Sequence, residues 1–225
     1  MIYVFGKFDR SNVGDLEKTA VAVSAYGKKT TVFGEADDAA VARMTGEKIN
    51  AEFSVPYPPD ETEIEEVLAS VAGDSVVVTD LSGEIEAGKY VFREAKLRGA
   101  KTVLMFPTFD IPEAIGCVTD VAVLTAESVA KITGFTVKTE VETALAAAAL
   151  FSAGPKAAVI IGDEAIVAEN REITCIRRAS GKDTTGGAAE FVINFADGTT
   201  VRKAAEIAFG EDSREVGAGE INEKD

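Results

Sequence analysis

The sequence SVVVTDLSGEIEAGKYVFREAKLRGAKTVLMFP, residues 75–107, contains a complete strand–helix–strand unit. Its first segment, SVVVTD (75–80), is almost entirely apolar, which is typical of a strand buried on both faces of a parallel sheet. EAGKYVFREAKLRG (86–99) is predicted to form a helix, and AKTVLMFP (100–107) the next strand. The unit therefore predicts two parallel strands joined by a helical crossover.

Strands and helices alternate on both sides of this unit. Before it we predict strands at 2–6 and 29–34, an edge strand or loop at 51–59, and helices at 15–27, 37–47 and 61–73. After it we predict strands at 120–125 and 156–162, helices at 126–134 and 140–154, and an antiparallel pair at 164–169 and 172–178. The pattern predicts an α/β fold, a three-layer αβα sandwich whose mostly parallel central sheet ends in an antiparallel hairpin.

The length of 225 residues suits one α/β domain with an ample core. We predict a single domain over residues 1–215 and a polar C-terminal tail over 216–225. The N-terminal apolar run is too short for a signal peptide or a membrane span, and charged residues follow it directly. We therefore expect a cytoplasmic protein.

The composition excludes several classes of function. The chain has 38 acidic and 23 basic residues, so its net charge is −15, and we expect neither a nucleic acid nor a membrane as partner. It has no His, which removes His-based acid–base chemistry and most zinc sites. Cys117 and Cys175 lack a metal-binding spacing and are interpreted as buried thiols of a protein from a reducing compartment.

The stretch GKDTTGGAAEF, residues 181–191, is the strongest candidate for a binding site. Its two adjacent glycines precede AAEFVINF, which is predicted to be a helix. The free amides of a first helical turn attract anions, and glycines let a backbone approach a phosphate closely. An ordinary helix N-cap gives the same pattern, so this stretch alone leaves both interpretations open.

Five segments resemble, in the same order along the chain, those of a known kinase family. They are TVFGEADDAAV (31–41), LRGAKTVLMFP (97–107), DVAVLTAESVAKITG (120–134), VIIGDEAIVAENREITCIRR (159–178) and DTTGG (183–187). The chain resembles the ribokinase-like, PfkB-type carbohydrate kinases over residues 1 to about 210. The resemblance implies a ribokinase-like fold in a shortened, degenerate member that lacks the family's lid, because few residues separate the first strand from the next helix.

The resemblance also implies a nucleotide site. It assigns ATP or ADP with Mg²⁺ to an anion hole formed by Thr184, Thr185, Gly186, Gly187, Ala188 and Ala189. Asp9 matches the family's acid that binds a substrate hydroxyl, so a small sugar or polyol is the implied substrate.

The side chains depart from the family at the catalytic positions. The family's catalytic Asp is replaced by Ala189, which leaves only Glu190 or Asp183 as candidate bases in this stretch. The family's metal-linked Asn and Glu fall on Thr125 and Ser128, and Glu127, the candidate metal acid, is displaced by one position.

Three hypotheses follow. The first is a kinase homologue that binds ATP or ADP while its phosphotransfer is weak or lost. The second is an active ATP-dependent kinase of a small sugar or nucleoside-like alcohol, and the third is an interaction protein that binds no nucleotide. Without a lid, the exposed edge of the sheet is expected to be covered, shortened or paired with another chain, which allows a homo-oligomer or a protein partner at this edge.

Overall fold

The computed structural model shows one sheet with helices on both faces. It describes residues 1–8, 14–47, 49–54, 59–82, 85–107, 111–170, 172–179 and 183–216. Within these ranges every strand belongs to a single ten-stranded sheet.

The strands and helices follow the predicted alternation. The strands are β1 Ile2–Phe8, β2 Thr30–Ala36, β3 Asn50–Ser54, β4 Val76–Thr79, β5 Lys101–Met105, β6 Val121–Thr125, β7 Ala157–Ile161, β8 Glu164–Glu169, β9 Glu172–Arg178 and β10 Gly210–Val216. The helices are α1 Asp15–Ala25, α2 Asp38–Gly46, α3 Glu61–Leu68, α4 Ile85–Leu97, α5 Glu113–Gly116, α6 Ala126–Thr133, α7 Glu140–Ser152, α8 Thr184–Ala196 and α9 Val201–Phe209.

The sheet order is β10-β9-β8-β7-β6-β5-β4-β1-β2-β3. The strands from β7 to β3 in this order run parallel to one another. Strands β8, β9 and β10 each pair antiparallel with the strand before them. The strand order reverses between β1 and β4, so the carboxyl ends of these two strands form the topological switch point of the sheet.

Alternating side chains of the strands form two cores. Ile2 and Val4 of β1 join one core, whereas Tyr3 and Phe5 join the other. The first core packs under α1, α2, α8 and α9, and the second under α3 to α7. A strand buried on both faces explains the continuous apolar runs of the sequence.

The C-terminal part contains elements that the sequence analysis missed. The predicted hairpin is present as β8 and β9, but the helix α9 and the edge strand β10 near the C-terminus were not predicted. The short helix α5, between β5 and β6, was missed as well. The interpretation of Cys117 as a buried thiol is wrong, because Cys117 is exposed at the end of α5, whereas Cys175 is buried. The predicted tail lies almost wholly outside the described residues.

An ion-pair cluster holds the amino edge of the sheet. The carboxylate of Asp120 accepts hydrogen bonds from Lys96 at 2.8 Å and Lys156 at 2.8 Å, and from the Thr102 amide at 3.0 Å. Burial alone would raise the pKa of Asp120, but the hydrogen bonds from Lys156, Lys96 and Thr102 outweigh it and hold this pKa below its ordinary value.

Asp120→Asn should therefore lower the free energy of unfolding by about 1–3 kcal/mol at pH 7. A carboxylate with a depressed pKa stabilises the fold above its unfolded pKa of about 3.9, and this contribution is lost as the pH falls through the folded pKa. Urea unfolding at several pH values should show the gap between variant and wild type closing below about pH 4. A difference in unfolding free energy that stays constant down to pH 2 would contradict a stabilising role for the Asp120 carboxylate.

Candidate functional site

The DTTGG stretch forms the first turn of α8. Asp183 is the N-cap residue, and its carboxylate accepts a hydrogen bond from the Gly186 amide at 2.6 Å. The helix begins at Thr184, before the AAEFVINF segment where the sequence analysis started it. Thr184 to Ala189 are therefore helical, which corrects the expectation of a glycine-rich loop ahead of the helix.

The amides of this turn fall into two groups. The Gly186 amide is bonded to the Asp183 side chain, and the Gly187 amide donates to the Asp183 carbonyl oxygen at 3.1 Å. The amides of Thr184 and Thr185, the first two of the helix, have no hydrogen-bond partner among the described residues. An anion at this helix end would therefore meet the Thr184 and Thr185 amides and the positive end of the helix dipole.

The rest of the predicted anion hole faces the interior. A Cβ atom on Gly187 would overlap the ring of the buried Phe209, so this glycine allows α8 to pack closely against α9. Ala188 and Ala189 are fully buried in the core beneath α8. The position that resembles the family's catalytic acid thus points into packed apolar side chains.

The two candidate bases on α8 are not brought together. The Asp183 side chain caps the helix, whereas Glu190 lies two turns later, about 10 Å along the helix axis. Glu190 is half-buried, and its carbonyl oxygen accepts a hydrogen bond from the Asn194 side chain at 2.8 Å.

The predicted metal acid lies on another helix at the same carboxyl edge. Glu127 is in the first turn of α6 and forms an ion pair with Lys131 at 2.7 Å, and this hydrogen bond lowers its pKa. The adjacent Thr125 and Ser128 bond to each other: the Thr125 hydroxyl accepts from the Ser128 amide at 3.1 Å and caps α6. No group of His, Cys, Asp or Glu side chains that could hold a metal ion occurs within the ranges described.

Asp80 is the acidic residue at the switch point, and the sequence analysis missed it. It directly follows β4, is half-buried, and accepts a hydrogen bond from the Ser82 amide at 2.8 Å. The Ser82 hydroxyl in turn accepts one from the Lys7 amide at the end of β1, at 3.1 Å. Asp9, the predicted substrate-binding acid just beyond β1, lies outside the described residues.

A polar link joins this switch point to α8. The Thr185 hydroxyl lies 3.1 Å from the Asp15 carboxylate, at the start of α1, and donates a hydrogen bond to it. Burial raises the pKa of the Asp80 carboxyl, the hydrogen bonds from Ser82 partly offset this effect, and the negative charge of Asp15 raises the pKa further. Asp80, Asp15 and the first turn of α8 are therefore electrostatic neighbours at one edge of the sheet.

Comparison with solved structures identifies the architecture. No protein-family model matches the sequence, and no curated protein is significantly similar to it. The chain superposes on an Arabidopsis thaliana ribokinase complexed with ribose and ATP with a TM-score of 0.71 and 13% identity, over 92% of this chain and 89% of that one. The chain has a ribokinase-like fold.

Other solved structures share the ribokinase-like fold. The tetrameric inhibited form of phosphofructokinase-2 from Escherichia coli gives a TM-score of 0.70 and 12% identity, over 92% of this chain and 91% of that one. A pyrophosphate-dependent kinase in the ribokinase family, complexed with a pyrophosphate analogue and myo-inositol, gives a TM-score of 0.67 and 15% identity, over 93% of this chain and 92% of that one. The fold expected from the five sequence segments is therefore confirmed, and these identities extend the likeness no further than the fold.

The ribokinase-like topology explains which signal was missed. Ligands of doubly wound sheets bind beyond the carboxyl ends of the strands at the switch point. Asp80 is the first polar residue after the buried run VVVT, and that position would have marked it once β4 had been placed beside β1. Strand order cannot be read from a single sequence, so the sequence analysis treated Asp80 only as the end of a strand.

Proposed function

We propose that this protein binds ATP or ADP, with Mg²⁺, at the first turn of α8 and that its capacity for phosphotransfer is weak. The observation that carries the proposal is the DTTGG turn at the start of a helix whose N-terminus lies at the carboxyl edge of a ribokinase-like sheet. One solved structure with this fold is described as a complex with ribose and ATP.

The described residues fit a phosphate group. The amides of Thr184 and Thr185 have no partner in the described part of the chain, and the helix dipole adds a partial positive charge beside them. Two such donors hold one phosphate, while Gly186 and Gly187 keep the turn compact. The polyphosphate of a nucleotide is therefore the anion that we assign to this position.

The metal would arrive with the nucleotide. Mg²⁺ in phosphate-transfer sites is held mainly by phosphate oxygens and water, with one or two protein carboxylates. The ranges described contain no cluster of three or more potential metal ligands, so we assign no protein cage to the ion. Glu127 stays the candidate acid that would bind the Mg²⁺ ion through a water molecule, although its ion pair with Lys131 competes with that role.

Weak phosphotransfer follows from the side chains around the turn. Ala189 can neither accept a proton nor reach the site, because it is buried in the core. Glu190 lies about 10 Å along the helix from the cap. Loss of a general base costs about 10²–10⁴ in rate. An active kinase of a small sugar or polyol, the second hypothesis, requires a carboxylate from outside α8.

Thermal unfolding with millimolar Mg-ATP, Mg-ADP or Mg-pyrophosphate tests the binding site. A ligand at 100 times its dissociation constant adds about 2.7 kcal/mol to the stability of the folded state. We expect both nucleotides to raise the unfolding midpoint. A rise in the unfolding midpoint with pyrophosphate alone would contradict the assignment of a nucleotide. If no ligand raises the midpoint, the third hypothesis, an interaction protein that binds no nucleotide, would be favoured.

The variant Thr184→Pro tests the position of the site. Proline fits the first residue of a helix, and Asp183 already has the extended backbone that proline requires of the residue before it. The change removes one amide donor, so we expect nucleotide affinity to fall about 10–100-fold. Glu61→Pro, the same change at the first residue of α3, is the matched control and should leave affinity unchanged. Equal affinity in both variants would place the phosphates elsewhere.

A further inference from the structure

Asp80 occupies the position in the sheet where a ligand crevice is expected. It follows β4 directly, and β4 pairs with β1 at the point where the strand order reverses. Ser82, which binds both the Asp80 carboxylate and the Lys7 amide, ties the ends of the two strands together. The carboxylate is therefore held in place at the mouth of the crevice rather than being on a free loop.

The alternation of β4 directs Asp80 towards the α8 side of the sheet. Val76 and Val78 pack in the core beneath α1 and α8, whereas Val77 packs in the opposite core. Asp80 continues the series of Val76 and Val78, so its side chain leaves the strand on the same face as α8. The first turn of α8 and the Asp80 carboxylate therefore approach the crevice from the same side.

The buried Gly6 of β1 lies against this carboxylate. A Cβ atom at Gly6 would lie 3.3 Å from an Asp80 carboxylate oxygen and 3.4 Å from the Ser82 hydroxyl. A Cβ atom at Gly6 would also overlap the Leu16 side chain, so glycine at this position lets α1 pack on the end of β1 beside Asp80. Asp80 forms no ion pair with any residue that the structure describes, so no cation competes for its proton-accepting oxygens.

We infer that Asp80 accepts the proton from the hydroxyl of the phosphoryl acceptor, either water or a small alcohol, bound in the crevice between β1 and β4. The inference rests on the proposed nucleotide site at α8. As the acceptor O–H proton passes to Asp80, the acceptor oxygen bonds to the terminal phosphorus of ATP. The bond from that phosphorus to the bridging oxygen breaks, and ADP leaves with its electron pair.

The electrostatics of the site suit this role. A general base works best when its pKa lies nearer to the operating pH than that of an ordinary carboxyl group. Burial and the charge of Asp15 both raise the pKa of the Asp80 carboxyl, and Asp80 keeps its hydrogen bond from the Ser82 amide. Asp15 accepts a hydrogen bond from the Thr185 hydroxyl, is paired with Lys18 at 3.5 Å, and makes the smaller contribution to the raised pKa of Asp80 through its charge.

Hydrolysis of Mg-ATP tests the inference without knowledge of the alcohol, because water is then the acceptor. We expect the wild type to release ADP and phosphate slowly, and Asp80→Asn to reduce the turnover number at least 100-fold. The same variant should keep the Mg-ATP-dependent rise in unfolding midpoint, since asparagine keeps the shape and the Ser82 hydrogen bond. Asp80→Ser, a smaller side chain, gives a second test if the asparagine variant does not fold.

Asp38→Asn is the matched control. Asp38 is an exposed acid in the first turn of α2 at the same edge of the sheet, and its loss should leave turnover unchanged. Turnover that survives in Asp80→Asn, or a wild type that binds Mg-ATP without turnover, would overturn the role of Asp80 and leave the nucleotide site standing. Failure of the wild type to bind Mg-ATP at all would overturn the proposed function and this inference with it.

Discussion

Ala189→Asp is expected to destabilise the protein by about 3–5 kcal/mol and to give no gain in phosphotransfer. Ala189 is 0% exposed and is part of the core that α8 covers. An aspartate there would lose its hydration without gaining a partner, and the packed neighbours leave no space for it. The unfolding midpoint should fall by roughly 6–20 °C, since 1 kcal/mol corresponds to about 2–4 °C in a domain of this size.

Ala148→Asp provides the control for this substitution. Ala148 lies on the exposed face of α7, so the same change in side chain should cost no more than about 1 kcal/mol, mostly from the lower helix propensity of aspartate. Thermal unfolding and a phosphotransfer assay on both variants separate two interpretations of α8. An Ala189→Asp protein as stable as the control, with new kinase activity, would show that position 189 faces the site and that the helix is rotated from the register described.

Gly34→Ala is expected to cost about 3–6 kcal/mol, from backbone strain and from steric overlap together. Gly34 of β2 lies directly opposite Gly6 of β1, and its φ angle is 132°, a conformation that L-residues rarely adopt. A Cβ atom at Gly34 would overlap the Gly6 carbonyl oxygen. The two strands would have to separate beside the switch point, so we also expect nucleotide-dependent stabilisation to weaken.

Gly46→Ala is the matched glycine substitution. Gly46 ends α2, has no positive φ angle, and a Cβ atom there would have no neighbour within 4 Å. Alanine favours a helix over glycine by about 1 kcal/mol, so this variant should be as stable as the wild type or slightly more so. Urea unfolding of the two variants side by side measures the difference. Similar midpoints would show that β1 and β2 are not in close contact at Gly34.

The central layer of the fold was predictable because its sequence signals are local. Runs such as VVVT in β4 are apolar enough to specify buried parallel strands, and Gly residues mark several helix ends. The C-terminal elements were missed because β10, GEDSREV, has the composition of a loop. Its pairing with β9 comes from the edge that β9 offers, a tertiary effect that no local pattern encodes.

The candidate site was only partly predictable. The candidate anion-binding turn was located from DTTGG, but the two glycines suggested a loop, whereas the Asp183 cap begins the helix at Thr184. Whether Gly187 faces a ligand or a core residue depends on Phe209, which lies far along the chain. Asp80 carries no motif, and its position became meaningful only when the sheet order was known.

The sheet order bears on how the chain can fold while it is being synthesised. After β4 pairs with β1, each later strand from β5 to β10 joins the strand made just before it, and none must insert between two strands already paired. The sheet can therefore grow at one edge as the polypeptide leaves the ribosome, with every new pairing close in sequence. Strand β10, at this growing edge, is rich in charged residues, which disfavour pairing with a neighbouring nascent chain.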